Sequence, residues 1–169
     1  MKSTETLVVT TPTDREIRMT RVFDAPRSLV FDALTKPELL KLWLFGPDGW
    51  SLAVCEIDAK VGGKYRYVWR RDSDGTEMGM SGVIREIVPP ERFVGTERFD
   101  ESWYPGEAVG TIVLVERAGK TTLTNTLRYE SKEARDAVLR SPASMAPAYD
   151  RLAGILASLQ AGRSSHDED

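Results

Sequence analysis

Apolar and polar positions change rhythm several times along this chain. In residues 16–23, Ile17, Met19 and Phe23 share one parity, with Arg21 the exception. Such alternation predicts a strand with one buried face. Asp24-Ala25-Pro26 then reads as an N-cap and a first-turn proline. Val30, Phe31 and Leu34 follow at helical spacing, and Thr35-x-x-Glu38 has the form of a capping box that opens a second short helix through Trp43. Gly46-Pro47-Asp48-Gly49 stops it. From there the period is two. Residues 52–58 form a strand and Gly62-Gly63 a turn. Tyr65, Tyr67 and Trp69 then share one face while Lys64, Arg66 and Arg70 share the other. Asp72-Ser73-Asp74-Gly75 is a hairpin turn, 78–88 is a strand with Gly82 as its candidate bulge, and Pro89-Pro90 breaks it. Residues 92–99 make the next strand. Residues 108–117 and 121–129 pair across Ala118-Gly119-Lys120. Ser131 caps a short helix ending near Arg140, Ser141-Pro142 interrupts, and a longer helix covers 144–159 with Pro147 in its first turn. Tyr149, Leu152, Ile155, Leu156 and Leu159 give that helix an apolar stripe, and Gly162 is placed to end it.

The predicted order is a strand, two short helices, about six strands and a C-terminal helix. Short connections make the middle strands antiparallel, and the stripe on the last helix requires an apolar sheet face to cover it. The expected fold is therefore α+β, one curved antiparallel sheet around a long helix. A strongly curved sheet cannot touch a straight helix along its whole length, so space for a cavity remains between them. Residues 1–12 read as a loosely held arm, 13–160 as one domain and 161–169 as a disordered polar tail.

Composition narrows the chemistry. Of 169 residues, 41% are apolar, which excludes a largely disordered chain. Lys plus Arg is 23 against 26 for Asp plus Glu, a net charge of -3, and this argues against a nucleic-acid partner. No apolar run approaches the roughly 20 residues a membrane span needs. Leu7, Val8 and Val9 form too brief a patch for a signal peptide, so a cytoplasmic location with no membrane partner is expected. The single cysteine, Cys55, excludes an internal disulfide and a multi-thiolate zinc site, and reads as a buried inert thiol. The single histidine, His166, stands three residues from the end, which leaves the folded body without a histidine base. Asp72-x-Asp74-Gly75 lacks the later ligands of a calcium loop, and Val61-Gly62-Gly63-Lys64 lacks the spacing of a phosphate loop. No metal and no cofactor are expected.

Catalysis would then fall to a carboxylate. Glu97, Asp100, Glu101 and Glu107 cluster near the Trp103 loop, where they read most simply as a solvated charge run and otherwise as an acid/base pair. Binding has more support. Tyr65, Tyr67 and Trp69 on one face, Met78 and Met80 on a neighbouring strand, and Trp43, Phe45 and Trp50 around the second helix supply apolar area with a few polar tips. Singly these residues read as core; together they can wall a small-molecule site. Trp103, Tyr149, Glu97 and Asn125 complete the candidate set, with Arg66 a further polar partner if its head reaches the rim. Burying about 200 Å² of ligand yields roughly 5 kcal/mol. Association removes much of this, so two or three hydrogen bonds are also needed.

Several segments occur in an informative order: Thr20-Arg21-Val22-Phe23-Asp24-Ala25-Pro26-Arg27, Lys36-Pro37-Glu38-Leu39-Leu40-x-x-Trp43, Val61-Gly62-Gly63-x-Tyr65, Gly82-Val83-x-Arg85-Glu86-Ile87-Val88-Pro89-Pro90-Glu91-Arg92 and Tyr149-Asp150-Arg151-Leu152. Over about residues 14–160 the chain resembles the helix-grip, START-type (SRPBCC) superfamily. Within it the resemblance is to small bacterial proteins named after the C-terminal domain of the heat-shock-protein-90 ATPase activator. That resemblance implies a seven-stranded sheet wrapped around the C-terminal helix, with a hydrophobic cavity. Relatives bind lipids, sterols, polyketides or hormones, and some are cyclases or hydrolases. The expected function is binding of a small hydrophobic molecule of lipid, polyketide or aromatic type, without an evident catalytic centre. The alternatives are a cyclase or hydrolase using Glu97 with a tyrosine as proton donor, and a stress-related interaction module that contacts a chaperone or forms a homodimer. The chain has no room for the activator's separate N-terminal domain, which disfavours chaperone contact without removing it. Residues 143–147 look irregular beside the helix start of relatives.

Overall fold

The computed structural model describes residues 6–141 and 144–166; what was expected of residues 1–5, of the break at Pro142 and of the last three residues lies outside it. The elements are β1 (Val8–Thr10), β2 (Glu16–Phe23), α1 (Arg27–Thr35), α2 (Pro37–Leu40), β3 (Trp50–Ile57), β4 (Lys64–Arg71), β5 (Glu77–Val88), β6 (Arg92–Phe99), β7 (Ala108–Arg117), β8 (Lys120–Arg128), α3 (Lys132–Leu139) and α4 (Ala146–His166). Every strand pair is antiparallel, in the order β1-β2-β8-β7-β6-β5-β4-β3. The α+β architecture expected from the alternation is present, and it is the helix-grip arrangement that the resemblance implies.

Register decides which side chains meet. Leu114 pairs with Leu123, Met19 with Asn125, Gly95 with Gly110 and Tyr67 with Met80. All of these point to one face, because side chains on a strand alternate. At one end of that face Phe23, Val30, Leu114, Leu123, Leu152 and Leu156 pack between the sheet, α1 and α4. The tyrosine–aspartate–arginine run on α4 anchors the helix. Tyr149 lies 6.1 Å from the Trp43 ring and 6.0 Å from that of Phe23. Asp150 receives a hydrogen bond from the buried Arg21 at 2.8 Å. Arg151 donates to the carbonyls of Trp43 and Gly46 at 2.7 and 2.6 Å, which fixes the chain leaving α2.

Several local expectations fail for tertiary reasons. The sheet has eight strands, not seven, because Val8–Thr10 of the supposed arm pairs with β2. Gly162 does not end α4, which runs to His166. The capping box does not form. Thr35 closes α1 and donates to the Phe31 carbonyl at 2.8 Å, while Lys36 caps α2, which stops at Leu40 instead of reaching Trp43. Asp24 does not cap α1 either; the cap residue is Pro26, and the Arg27 N–H donates to Glu116 Oε1 at 2.7 Å, across 89 residues of sequence. The bulges fall between Leu52 and Val54 and between Ile84 and Glu86. Gly82 pairs regularly with Tyr65, and its role is close approach: a Cβ there would lie 2.3 Å from the tyrosine ring. Ser131 does cap α3, accepting from the Ala134 N–H at 3.0 Å.

Candidate functional site

Beyond the packed end, the space between sheet and helices stays open as a cavity of about 500 Å³. What hollows it is visible in the strands. Gly82, Gly95 and Gly110 carry no side chain on the inner face of β5, β6 and β7, and Gly95 and Gly110 lie directly opposite each other. The Tyr65 ring fills part of this recess and donates its hydroxyl proton to the Thr96 carbonyl. The wall continues as an unbroken aromatic series. Phe93, Tyr65, Tyr67 and Trp69 follow one another with ring centres 5.6–6.1 Å apart. Trp69 stacks on Phe99 at 6.5 Å, Phe99 meets Trp103 at 4.7 Å and Tyr104 at 6.3 Å, and Tyr104 meets Tyr129 at 5.2 Å.

Nine of the twelve candidate residues border this cavity: Trp43, Tyr65, Tyr67, Trp69, Met80, Glu97, Trp103, Asn125 and Tyr149. Three do not. Phe45 lies under the Arg151 guanidinium at 4.0 Å. Trp50 faces Arg71. Met78, opposite Trp69 near the start of β5, is 40% exposed. Arg66 is also excluded, since it sits on the outer face and pairs with Asp100 at 2.7 Å. Sequence reasoning missed Phe93, Phe99, Tyr104 and Tyr129. The first two share the parity of Glu97 and the last shares that of Asn125, a signal that was available. Leu7 and Val9 also reach the wall. They were assigned to the arm, because three residues are too few to show alternation. Trp103 and Leu139, each close to half exposed, mark the mouth.

The solvated-loop reading of the acidic cluster is wrong for Glu97. Asp100 and Glu101 are exposed, whereas Glu97 belongs to β6, pairs with Ala108 and turns its carboxyl into the cavity. Among the described residues no cation stands against it, and the cavity lining they form contains no Lys, Arg or His. Burial therefore acts unopposed and raises Glu97 from the ordinary 4.5 to about 7. All five tyrosines of the chain line the cavity. Burial raises the pKa of each, and the Glu97 charge adds to that rise in all five. Tyr149 reaches about 12, the hydrogen bond from Asn125 partly offsetting its burial. Asn125 Oδ1 is buried without a partner. Cys55 lies outside the cavity lining, and burial pushes it up to about 11, as suits an inert thiol. Among the described residues no group of three or more His, Cys, Asp or Glu is placed to hold a metal ion. No helix among them is long and apolar enough to cross a membrane.

Solved structures share this architecture. A protein from Rhodobacter sphaeroides is 32% identical, with a TM-score of 0.85 over 90% of this chain and 99% of its own. One from Nitrosomonas europaea is 24% identical, with a TM-score of 0.74 over 88% and 99%. An HSP90 activator from Plasmodium falciparum, 22% identical with a TM-score of 0.50 over 68% and 72%, shares the fold. No curated protein matches the chain. Residues 24–157 match the family of activator of Hsp90 ATPase homolog 1-like proteins, a span that runs from the start of α1 through most of α4, and the chain belongs to that family.

Proposed function

We propose that this protein binds a small, largely apolar molecule in the cavity between its sheet and α4. The observation that carries the reading is the aromatic wall around about 500 Å³ of open space, a volume within the range of drug-sized ligand sites. A core built only for stability would be filled, because interiors pack to near-crystalline density. Rigid rings offer a ligand large contact area at low entropic cost. Glu97, Asn125 and the tyrosine hydroxyls give it the few polar partners that area alone does not supply. The test is mass spectrometry of small molecules released from freshly purified, denatured protein. A hydrophobic compound near one-to-one stoichiometry is expected, and Tyr67→Ala should lose it while remaining folded. Absence of any such compound, together with no affinity for hydrophobic probe dyes, would overturn the reading.

Glu97 favours a second reading, a cyclase- or hydrolase-type enzyme. A carboxyl titrating near 7 suits general acid–base work at neutral pH. Glu97→Gln should then abolish turnover of a substrate without abolishing its binding; retained turnover discards this role.

A further inference from the structure

Among the described residues Glu97 is the single charged group in the cavity lining, and no described cation answers it. Arg21, a buried charged side chain at the closed end of the inner sheet face, is directed at Asp150. Glu97 has neither an ion pair nor a hydrogen-bond partner among the described residues, yet its carboxyl faces open space bordered by aromatic rings. An uncompensated carboxylate in an apolar site is costly, and a cation brought to it recovers much of that cost. Aromatic faces attract cations as well, through their ring quadrupoles, and the indole of tryptophan does so best. Trp43, Trp69 and Trp103 all border the cavity beside the five tyrosines.

Resting on the cavity-binding reading, we infer that the ligand class is hydrophobic amines: an apolar body fills the aromatic cavity and a protonated nitrogen pairs with the Glu97 carboxylate. The ammonium would donate to the carboxyl oxygens, and the neighbouring phenol oxygens and the partnerless Asn125 Oδ1 are further acceptors within the same polar cluster. Neutral ligands could use the apolar wall equally well, but they would leave the carboxylate unpaired above neutral pH. Preference for an amine is therefore largest when Glu97 is ionised and fades as it takes up a proton.

The groups facing Glu97 make that pH effect assignable. They are Tyr65 and Tyr67 from β4, Tyr104 from the loop after β6, Tyr129 beyond β8 and Tyr149 from α4; burial keeps these phenols protonated well above neutral pH. The β7 and β8 neighbours on the inner face, Ala108, Gly110 and Asn125, do not titrate. Glu97 alone among these groups changes charge between pH 6 and 8.

The test uses the full chain with two fluorescent probes of one shape, a naphthylethylamine and the matching naphthylethanol. At pH 8 the amine is expected to bind about tenfold tighter or more, the scale of a charge-assisted hydrogen bond. Glu97→Gln should abolish that preference, bringing the two probes' affinities to within about twofold of each other. In the unmodified protein the amine's affinity should fall severalfold from pH 8 to pH 6, and the alcohol's should stay level. This series needs no variant, so it decides the matter even if Glu97→Gln fails to fold. Equal binding of both probes, or an amine affinity level with pH, overturns the inference and leaves the cavity reading intact. Failure of both probes to bind overturns both.

Discussion

The two ends of the sheet's inner face are built on the same alternation and reach opposite results. Toward α1 the inward positions are Phe23, Leu114 and Leu123, and α1 and α4 close over them completely. Toward β6 the inward positions are Gly95, Gly110 and Glu97 with large rings around them, and space remains. The buried charges follow the same division. Arg21, at the closed end, reaches the exposed Asp150; Glu97, at the hollow end, has no partner among the described residues. Period-two patterning thus specifies a face but not whether that face is filled. Side-chain size at the paired positions decides the filling.

The largest expected effect lies at the closed end. Leu123→Ala should cost about 2–5 kcal/mol, read by urea unfolding, because a rigid core cannot collapse into the void. A loss below about 1 kcal/mol would show that this end is not densely packed. Next comes the charge at the hollow end. In the folded protein Glu97 titrates near 7 instead of 4.5, so the folded state holds a proton that the unfolded chain has released. Its contribution is therefore neutral below 4.5 and increasingly destabilising as pH rises to about 7, by up to about 3 kcal/mol. Glu97→Gln should remove that decline, so thermal melts of the two proteins should diverge between pH 5 and pH 8, with the variant the more stable at the higher pH. Parallel pH dependences would place Glu97 in contact with water or a cation.

Asp150→Ala should cost about 1–3 kcal/mol, since it leaves the buried Arg21 without its acceptor. No change would mean that Arg21 reaches water. The smallest effect should come from Ile112→Val on the cavity wall. Its removed methyl already borders open space, so the loss should fall near the low end of the usual range, about 0.5 kcal/mol. A larger loss would imply that Ile112 packs as a core residue.

Most of the architecture was legible in the chain. The face carrying Tyr65, Tyr67 and Trp69, the Ser131 cap and the stripe on α4 arise from neighbours within a few residues, where period and capping chemistry act. The short β1 was not legible, since it exists only by pairing with β2. The start of α1 was misread because its backbone is satisfied by Glu116, far along the chain. The candidate site was legible in part. The aromatic face, Asn125 and Glu97 were found as residue types, but nothing in the sequence separated the inward Glu97 from the exposed Asp100 and Glu101 beside it.

By itself, the order of residues determined most of the elements, the antiparallel pairing and the inward parity, because these depend on local periodicity and short connections. Tertiary structure alone decided that Gly95 meets Gly110, that all five tyrosines converge on Glu97 and that Glu97 finds no cation among the described residues. Those are facts of register and curvature between strands far apart in sequence, and they fix both the hollow and the charge inside it.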